Sequence, residues 1–112
     1  MRKGNRKVTL AAPEQGRKVA VALMQSDIAN ATVDALTADY PEVVVIEHGT
    51  YVLLEADDEL RIEMSRVGEE LGAPITLGQW LVIMVTFVGR AAPGGDYMRV
   101  TSQMIDIASD AV

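Results

Sequence analysis

His48 is the single histidine of this 112-residue chain, and there is no cysteine. A nucleophile–histidine–acid relay would have to be built on that one imidazole. Yet His48-Gly49 reads as a tight turn between two β-branched runs, an exposed position. The absence of thiols excludes disulfides, iron–sulfur clusters, thiolate metal sites and thiol nucleophiles. Asp57, Asp58 and Glu59 set three carboxylates side by side. Three neighbours in a turn do not converge on one cation unaided, so a solvated turn is expected. Glu69-Glu70 reads as a helix face. The spacings Gly89…Gly94-Gly95 and His48-Gly49 match no phosphate-binding fingerprint. Met24, Met64, Met84, Met98 and Met104 read as adaptable core filler. These residues supply no general base, metal or cofactor. The expectation is a binding module, not an enzyme.

The stretch that most constrains such a module runs from Leu71 to Gly89. After a helix end at Leu71-Gly72 and a proline turn at Pro74 come nine residues, Trp80 to Val88, of which only Thr86 is polar. A charge-free run of this kind predicts a central strand buried on both faces. It is too short to span a bilayer, which takes about 20 apolar residues. Any of its residues left exposed are the expected partner-binding surface.

The length suits one domain, and a 49% hydrophobic content suffices for a core built mainly from aliphatic side chains. The net charge of −6 is unevenly spread. Residues 1–18 hold six cations against Glu14, a net of +5; residues 19–112 hold four cations against 15 carboxylates, a net of −11. Residues 1–17 are therefore read as a basic, flexible arm, and residues 18–112 as the folded body. An acidic body repels phosphate, so no nucleic acid is expected as partner. No apolar segment follows the charged N-terminus, so neither a secretory signal nor a membrane partner is expected, and the protein is placed in the cytoplasm.

Lys18 to Met24 alternates Val19, Val21 and Leu23 with Ala20 and Ala22, a strand with one close-packed face. Ser26 offers an N-cap to an amphipathic helix through Ile28, Thr32, Val33, Leu36 and Tyr40, ended by Pro41. Glu42–Glu47, Thr50–Ala56 and Glu59–Met64 read as three strands of a meander. Ser65 caps a second helix, Arg66–Leu71, closed by Gly72. Thr76 caps a short turn, the Trp80 strand follows, and Gly89 to Gly95 form a loop. Tyr97–Thr101 is the last strand, before a tail with Met104, Ile105 and Ile107. The order strand–helix–three strands–helix–strand–strand gives an α+β fold with mainly antiparallel sheets and helices on one side.

Several blocks of this order resemble the coupling, or effector, proteins of soluble di-iron multicomponent monooxygenases. Val21-Ala-Leu-Met-Gln-Ser-Asp-Ile28 is similar to their first strand and helix start. Gly49-Thr-Tyr-Val-Leu-Leu-Glu-Ala56 is similar to their Gly-x-Tyr-x-x-Ile-x-Ala block. Glu69-Glu-Leu-Gly72 with Pro74 resembles their helix end and turn. Trp80 to Arg90 resembles their hydrophobic strand running into Gly-Arg. Thr101-Ser102-Gln103-Met104 resembles the Thr-Ser-x-x-Met ending of the methane monooxygenase regulatory component. The likeness covers about residues 19–107. Ala73 stands where the family usually has Arg or Lys, and Met84 replaces the Asn of aromatic-oxidising members.

The resemblance implies two small sheets and no cofactor. It implies a partner, the di-iron hydroxylase component, whose active site the effector reshapes and whose substrate and oxygen access it gates. Oxidation of an alkane, alkene or aromatic then stays coupled to NAD(P)H oxidation, and the effector alternates with the reductase. The family's substrate-gating stretch falls on Val85, Thr86 and Phe87, continued by Val88, Gly89 and Arg90. Core positions for Val85 and Phe87 are the competing reading, and strict alternation would put those two on one face. Arg2, Lys3, Arg6 and Lys7 are expected to dock on acidic surface. The alternative is a small-molecule-sensing regulatory domain of the kind found on amino-acid enzymes, although Gln25-Ser26 lacks the glycine such domains favour at the first strand–helix turn.

Overall fold

In the computed structural model residues 18–102 are described. The basic arm, with Arg2, Lys3, Arg6 and Lys7, and the tail with Met104, Ile105 and Ile107 lie outside them.

The elements in order are β1 (Lys18–Met24), α1 (Asp27–Asp39), β2 (Val44–Glu47), β3 (Tyr51–Asp57), β4 (Glu59–Glu63), α2 (Met64–Leu71), α3 (Leu77–Leu81), β5 (Met84–Val88), β6 (Arg90–Pro93) and β7 (Tyr97–Thr101). They form two antiparallel sheets, one ordered β2-β3-β1-β5 and one ordered β4-β7-β6. This is the expected α+β class.

Local signals act where the sequence puts them. Ser26 Oγ accepts the Ala29 amide at 3.1 Å and starts α1. The helix buries Ala29, Ala31, Thr32, Ala35 and Leu36, mostly small residues that let neighbours approach closely. His48-Gly49 turns β2 into β3, with Gly49 at φ +76°, a conformation glycine adopts without a Cβ penalty. Gly72 ends α2 in the left-handed region. β4 alternates as expected, with Leu60 and Ile62 inside.

Four expectations are corrected. First, β4 does not continue the β2–β3 meander. At Asp58, with φ +68°, the chain turns a corner into the second sheet, where the Ser102 amide donates to the Asp58 carbonyl at 3.0 Å. Second, Met64 opens α2 and does not extend the strand; Glu63 is the cap residue, and Ser65 lies within the helix. Third, the segment expected as a loop after Gly89 contains β6, paired with β7.

Fourth, Trp80–Val88 is not one central strand. Trp80 belongs to α3, and β5 begins at Met84 on the edge of its sheet. The centre is β1, whose Val19 to Leu23 are all buried between β3 and β5. Both a central strand and a bare edge require an absence of charge, so hydropathy alone does not separate them. The core joins both sheets through Val19, Val21, Leu23, Leu54, Leu60, Ile62, Met98 and Val100 under α1 and Trp80.

Candidate docking site

Among the described residues β5 pairs with β1 on one side only, and no other strand takes its outer edge. The register is Ala20 with Val88, Val21 with Phe87, Ala22 with Thr86 and Leu23 with Met84. The shift between the last two pairs leaves Val85 as an extra residue, a β-bulge. Bulges twist a strand and redirect its side chains. Here the bulge breaks the alternation expected from sequence. Phe87 and Met84 lie opposite the core residues Val21 and Leu23, so Val85 does not repeat Phe87 two residues on.

The result is an exposed apolar ridge. Val82 is 74% exposed, Val88 60%, Val85 58%, Phe87 39% and Leu81 37%. Thr86 is exposed with them. Met24 adds to the ridge from the end of β1, where its amide donates to the Ile83 carbonyl at 2.8 Å. No charged residue occurs between Leu71 and Gly89. The competing core reading of Val85 and Phe87 therefore fails for Val85 and holds only in part for Phe87, which keeps one side toward β1.

Three features hold the ridge in place. Thr76 caps α3 with a reciprocal box: its hydroxyl accepts the Gln79 amide at 3.1 Å, and the Gln79 side chain accepts the Thr76 amide at 2.9 Å, which satisfies two otherwise orphan donors. Trp80 is fully buried, and its indole N–H donates to Thr32 Oγ1 on α1 at 3.1 Å. Gly89 carries the chain from β5 to β6 at φ +125°. A Cβ there would lie 2.7 Å from the Thr101 carbonyl oxygen, 2.9 Å from Val100 Cγ1 and 3.2 Å from Val19 Cγ1.

Of the residues singled out in the sequence, Val85, Thr86, Phe87 and Val88 thus come together on the edge. Gly89 is turned into the seam between the sheets. Arg90 is exposed at the start of β6 in the second sheet, opposite Thr101. Leu81 and Val82 were missed as exposed residues. The Thr76-x-x-Gln79 box was the available signal, since it starts a helix that carries through Trp80 and ends beyond it.

The chemical candidates stay apart. His48 is exposed and stacks on Tyr51 with ring centroids 4.9 Å apart. Asp57 pairs with Lys18 at 3.4 Å, and Glu59 with Arg99 at 2.7 Å. Among the described residues no three His, Asp or Glu side chains are grouped to hold a metal ion, and no helix is long and apolar enough to cross a membrane. A further charge cluster joins α1 and α2. Arg66 of α2 holds both carboxylate oxygens of Asp39, at 2.8 and 3.1 Å, and Glu69 at 2.7 Å. The hydrogen bond from Arg66 lowers the Asp39 pKa below its ordinary value of 3.8, and the same bond raises that of Arg66.

The description of the MmoB/DmpM family matches residues 17–101 of the chain. The chain belongs to that family. It is thereby a regulatory, or effector, component of multicomponent monooxygenases and not their catalytic part. An effector subunit of the alkene monooxygenase system of Xanthobacter autotrophicus is 36% identical over 75 residues, 65% of this chain and 74% of that protein. Methane monooxygenase regulatory protein B of Methylosinus trichosporium is 26% identical over 98 residues, 83% of this chain and 71% of that one. The solved fold is shared as well. A chain in the phenol hydroxylase–regulatory protein complex superposes with a TM-score of 0.67 at 17% identity, covering 75% of this chain and 97% of its own. The soluble methane monooxygenase regulatory protein B superposes with 0.65 at 24%, covering 85% and 72%. Membership in this family decides against the small-molecule-sensing alternative.

Proposed function

We propose that this effector binds the di-iron hydroxylase of a soluble multicomponent monooxygenase through the β5 edge. The observation that carries the reading is the uncharged ridge from Leu81 to Val88. Exposed apolar surface of this kind marks an interaction site, and an edge strand without charge lacks the usual protection against pairing and association. That a solved relative is a regulatory protein in complex with phenol hydroxylase supports the choice of partner.

Val85, Thr86 and Phe87 are the gating residues in this reading, with Val82 and Val88 widening the footprint. Gly89 sets the angle of the ridge, and Arg90 flanks it from the second sheet. Arg2, Lys3, Arg6 and Lys7 add salt-screened contacts to acidic surface on the partner.

An effector changes activity only through differential affinity for two states of its partner. A ridge that fits the oxygen-reactive hydroxylase better than the resting one shifts the equilibrium between them. Allosteric couplings of about 1–3 kcal/mol, or roughly 5–150-fold, are typical. Tighter fit to the reactive state reshapes the substrate pocket and couples NAD(P)H oxidation to oxidation of an alkane, alkene or aromatic. The reductase needs the hydroxylase in turn, so the two proteins alternate on it.

Reconstitution with the cognate hydroxylase and reductase tests the reading. Replacing Val85, Thr86 and Phe87 together by alanine is expected to change the rate or the regioselectivity of oxidation. An unchanged rate and product profile would remove the gating assignment. Equal turnover and coupling without the effector would remove the function itself.

A further inference from the structure

We infer that Thr32 is a positioning residue for the docking edge. Its hydroxyl fixes Trp80, and through Trp80 the α3–β5 connection that presents Val82, Val85 and Val88. The inference rests on the reading of β5 as the docking edge.

The geometry begins with burial. Trp80 is 0% exposed, and so is Thr32. An indole N–H removed from water has to find an acceptor inside the protein. Thr32 Oγ1 supplies it at 3.1 Å. A free hydroxyl rotates to suit its neighbours. Here it is already committed, because it donates its own proton to the Ile28 carbonyl at 2.8 Å. The relay from the indole N–H to the threonine oxygen to the Ile28 carbonyl therefore has one direction and fixes where the indole lies relative to α1.

That placement reaches β5 within four residues. The Ile83 amide donates to the Trp80 carbonyl at 3.1 Å, and the Ile83 carbonyl accepts the Met24 amide at 2.8 Å. Beyond Met84 the bulge interrupts the regular ladder with β1. The start of β5 thus depends on where Trp80 sits, and among the described residues no strand on the outer edge corrects an error. Apolar packing alone would keep the indole buried. The hydroxyl adds its orientation.

Thr32→Val replaces the hydroxyl by a methyl group of similar size and leaves the indole N–H buried without its acceptor. Thr32→Ser keeps the acceptor. Amide hydrogen exchange on the whole chain reads the result without any partner. In Thr32→Val those amides of Met84–Val88 that bond to β1 are expected to exchange about 10-fold faster, and the bonded amides of β7 to stay within about twofold of the parent. Emission from Trp80, the single tryptophan, is expected to move to shorter wavelength as the hydrogen bond is lost. With the cognate hydroxylase and reductase, the effector concentration for half-maximal turnover is expected to rise roughly fivefold with an unchanged plateau. Thr32→Ser restores all three readouts.

Unchanged exchange in β5 overturns the inference, and so does an equal acceleration in β5 and β7, which is global destabilisation. Trp80→Phe removes the N–H from the other side. Thr32→Val has to add nothing further to β5 exchange in that background, and an additive effect also overturns the inference. If the parent protein neither binds nor stimulates the hydroxylase, the docking reading falls, while β5 exchange still decides whether Thr32 fixes the edge.

Discussion

Among the described residues the four-stranded sheet ends in β2 on one side and β5 on the other, and these two edges are built differently. β2 closes one side with Val44-Val45-Ile46-Glu47, preceded by Pro41 and Glu42. β5 closes the other with Met84-Val85-Thr86-Phe87-Val88, and no charge occurs for a dozen residues before it. One cross-strand row joins them: Val44, Glu55, Ala20 and Val88 lie side by side. Both end residues are exposed valines, 44% and 60%. Proline and charged residues at β2 are the usual protection of an edge against unwanted pairing. At β5 charge and proline are absent, and the only such device is the bulge at Val85. The same sheet thus carries charge and proline beside β2 and none along β5, where a partner is proposed to dock.

The glycines beside the two edges separate rigidity from simple turning. Gly49 and Gly89 both have positive φ, but a Cβ on Gly49 meets nothing within 4 Å, whereas one on Gly89 runs into the backbone of β7. Gly89→Ala is expected to cost about 2–4 kcal/mol, combining φ strain with the clash. That corresponds to a fall in Tm on the order of 10–20 °C. Gly49→Ala is expected to cost only about 1 kcal/mol, from strain alone. Thermal melts of the pair check this, and equal losses would refute the seam as the rigid joint.

A charge at either end of the shared row tests the edges directly. Val88→Lys is expected to weaken hydroxylase binding by about 10-fold or more, since an interface has to desolvate the ammonium. Val44→Lys is expected to leave binding within about twofold, with both variants near parental stability. Calorimetric titration of the hydroxylase measures the difference. If the two lysines act alike, the asymmetry has no bearing on docking.

The smallest expected effect lies away from both edges. Asp39 has its pKa lowered by the hydrogen bond from Arg66. A carboxylate with a depressed folded pKa contributes stability that is fully present above its ordinary value near 3.8. That contribution is lost as the pH falls through and below the folded value. Asp39→Asn is expected to lower Tm by about 1–3 °C at neutral pH. The gap to the parent should close in the acid range, below the ordinary carboxylate pKa. Hydroxylase activation should be unaffected, which separates this surface pair from the docking edge.

Adjacent residues spelled out much of the architecture. Ser26, Gly49, Gly72 and Thr76 were legible because a cap or a tight turn is made by neighbours in the chain, whatever lies further off. The alternation of Leu60 and Ile62 against Glu59, Arg61 and Glu63 showed a half-buried strand for the same reason. It did not show which sheet β4 joins, because that depends on pairing with β7, some 40 residues later. β6 was hidden among Gly89, Pro93, Gly94 and Gly95, whose turn signals outweighed a four-residue strand.

The candidate site divides in the same way. Where to look for it was legible in the chain, since a long charge-free run favours either the core or a partner-binding surface. The order of periodic segments showed the class of fold, composition the lack of thiols, and the charge-free run the stretch from Leu71 to Gly89 as the one to watch. Long-range packing settled the rest: that Trp80 turns inward to Thr32, that Val85 bulges, and that Val82 and Val88 face outward. Those outcomes follow from which strand lies beside β1 and which side of β5 is left without one, and no local run of residues encodes its distant neighbours.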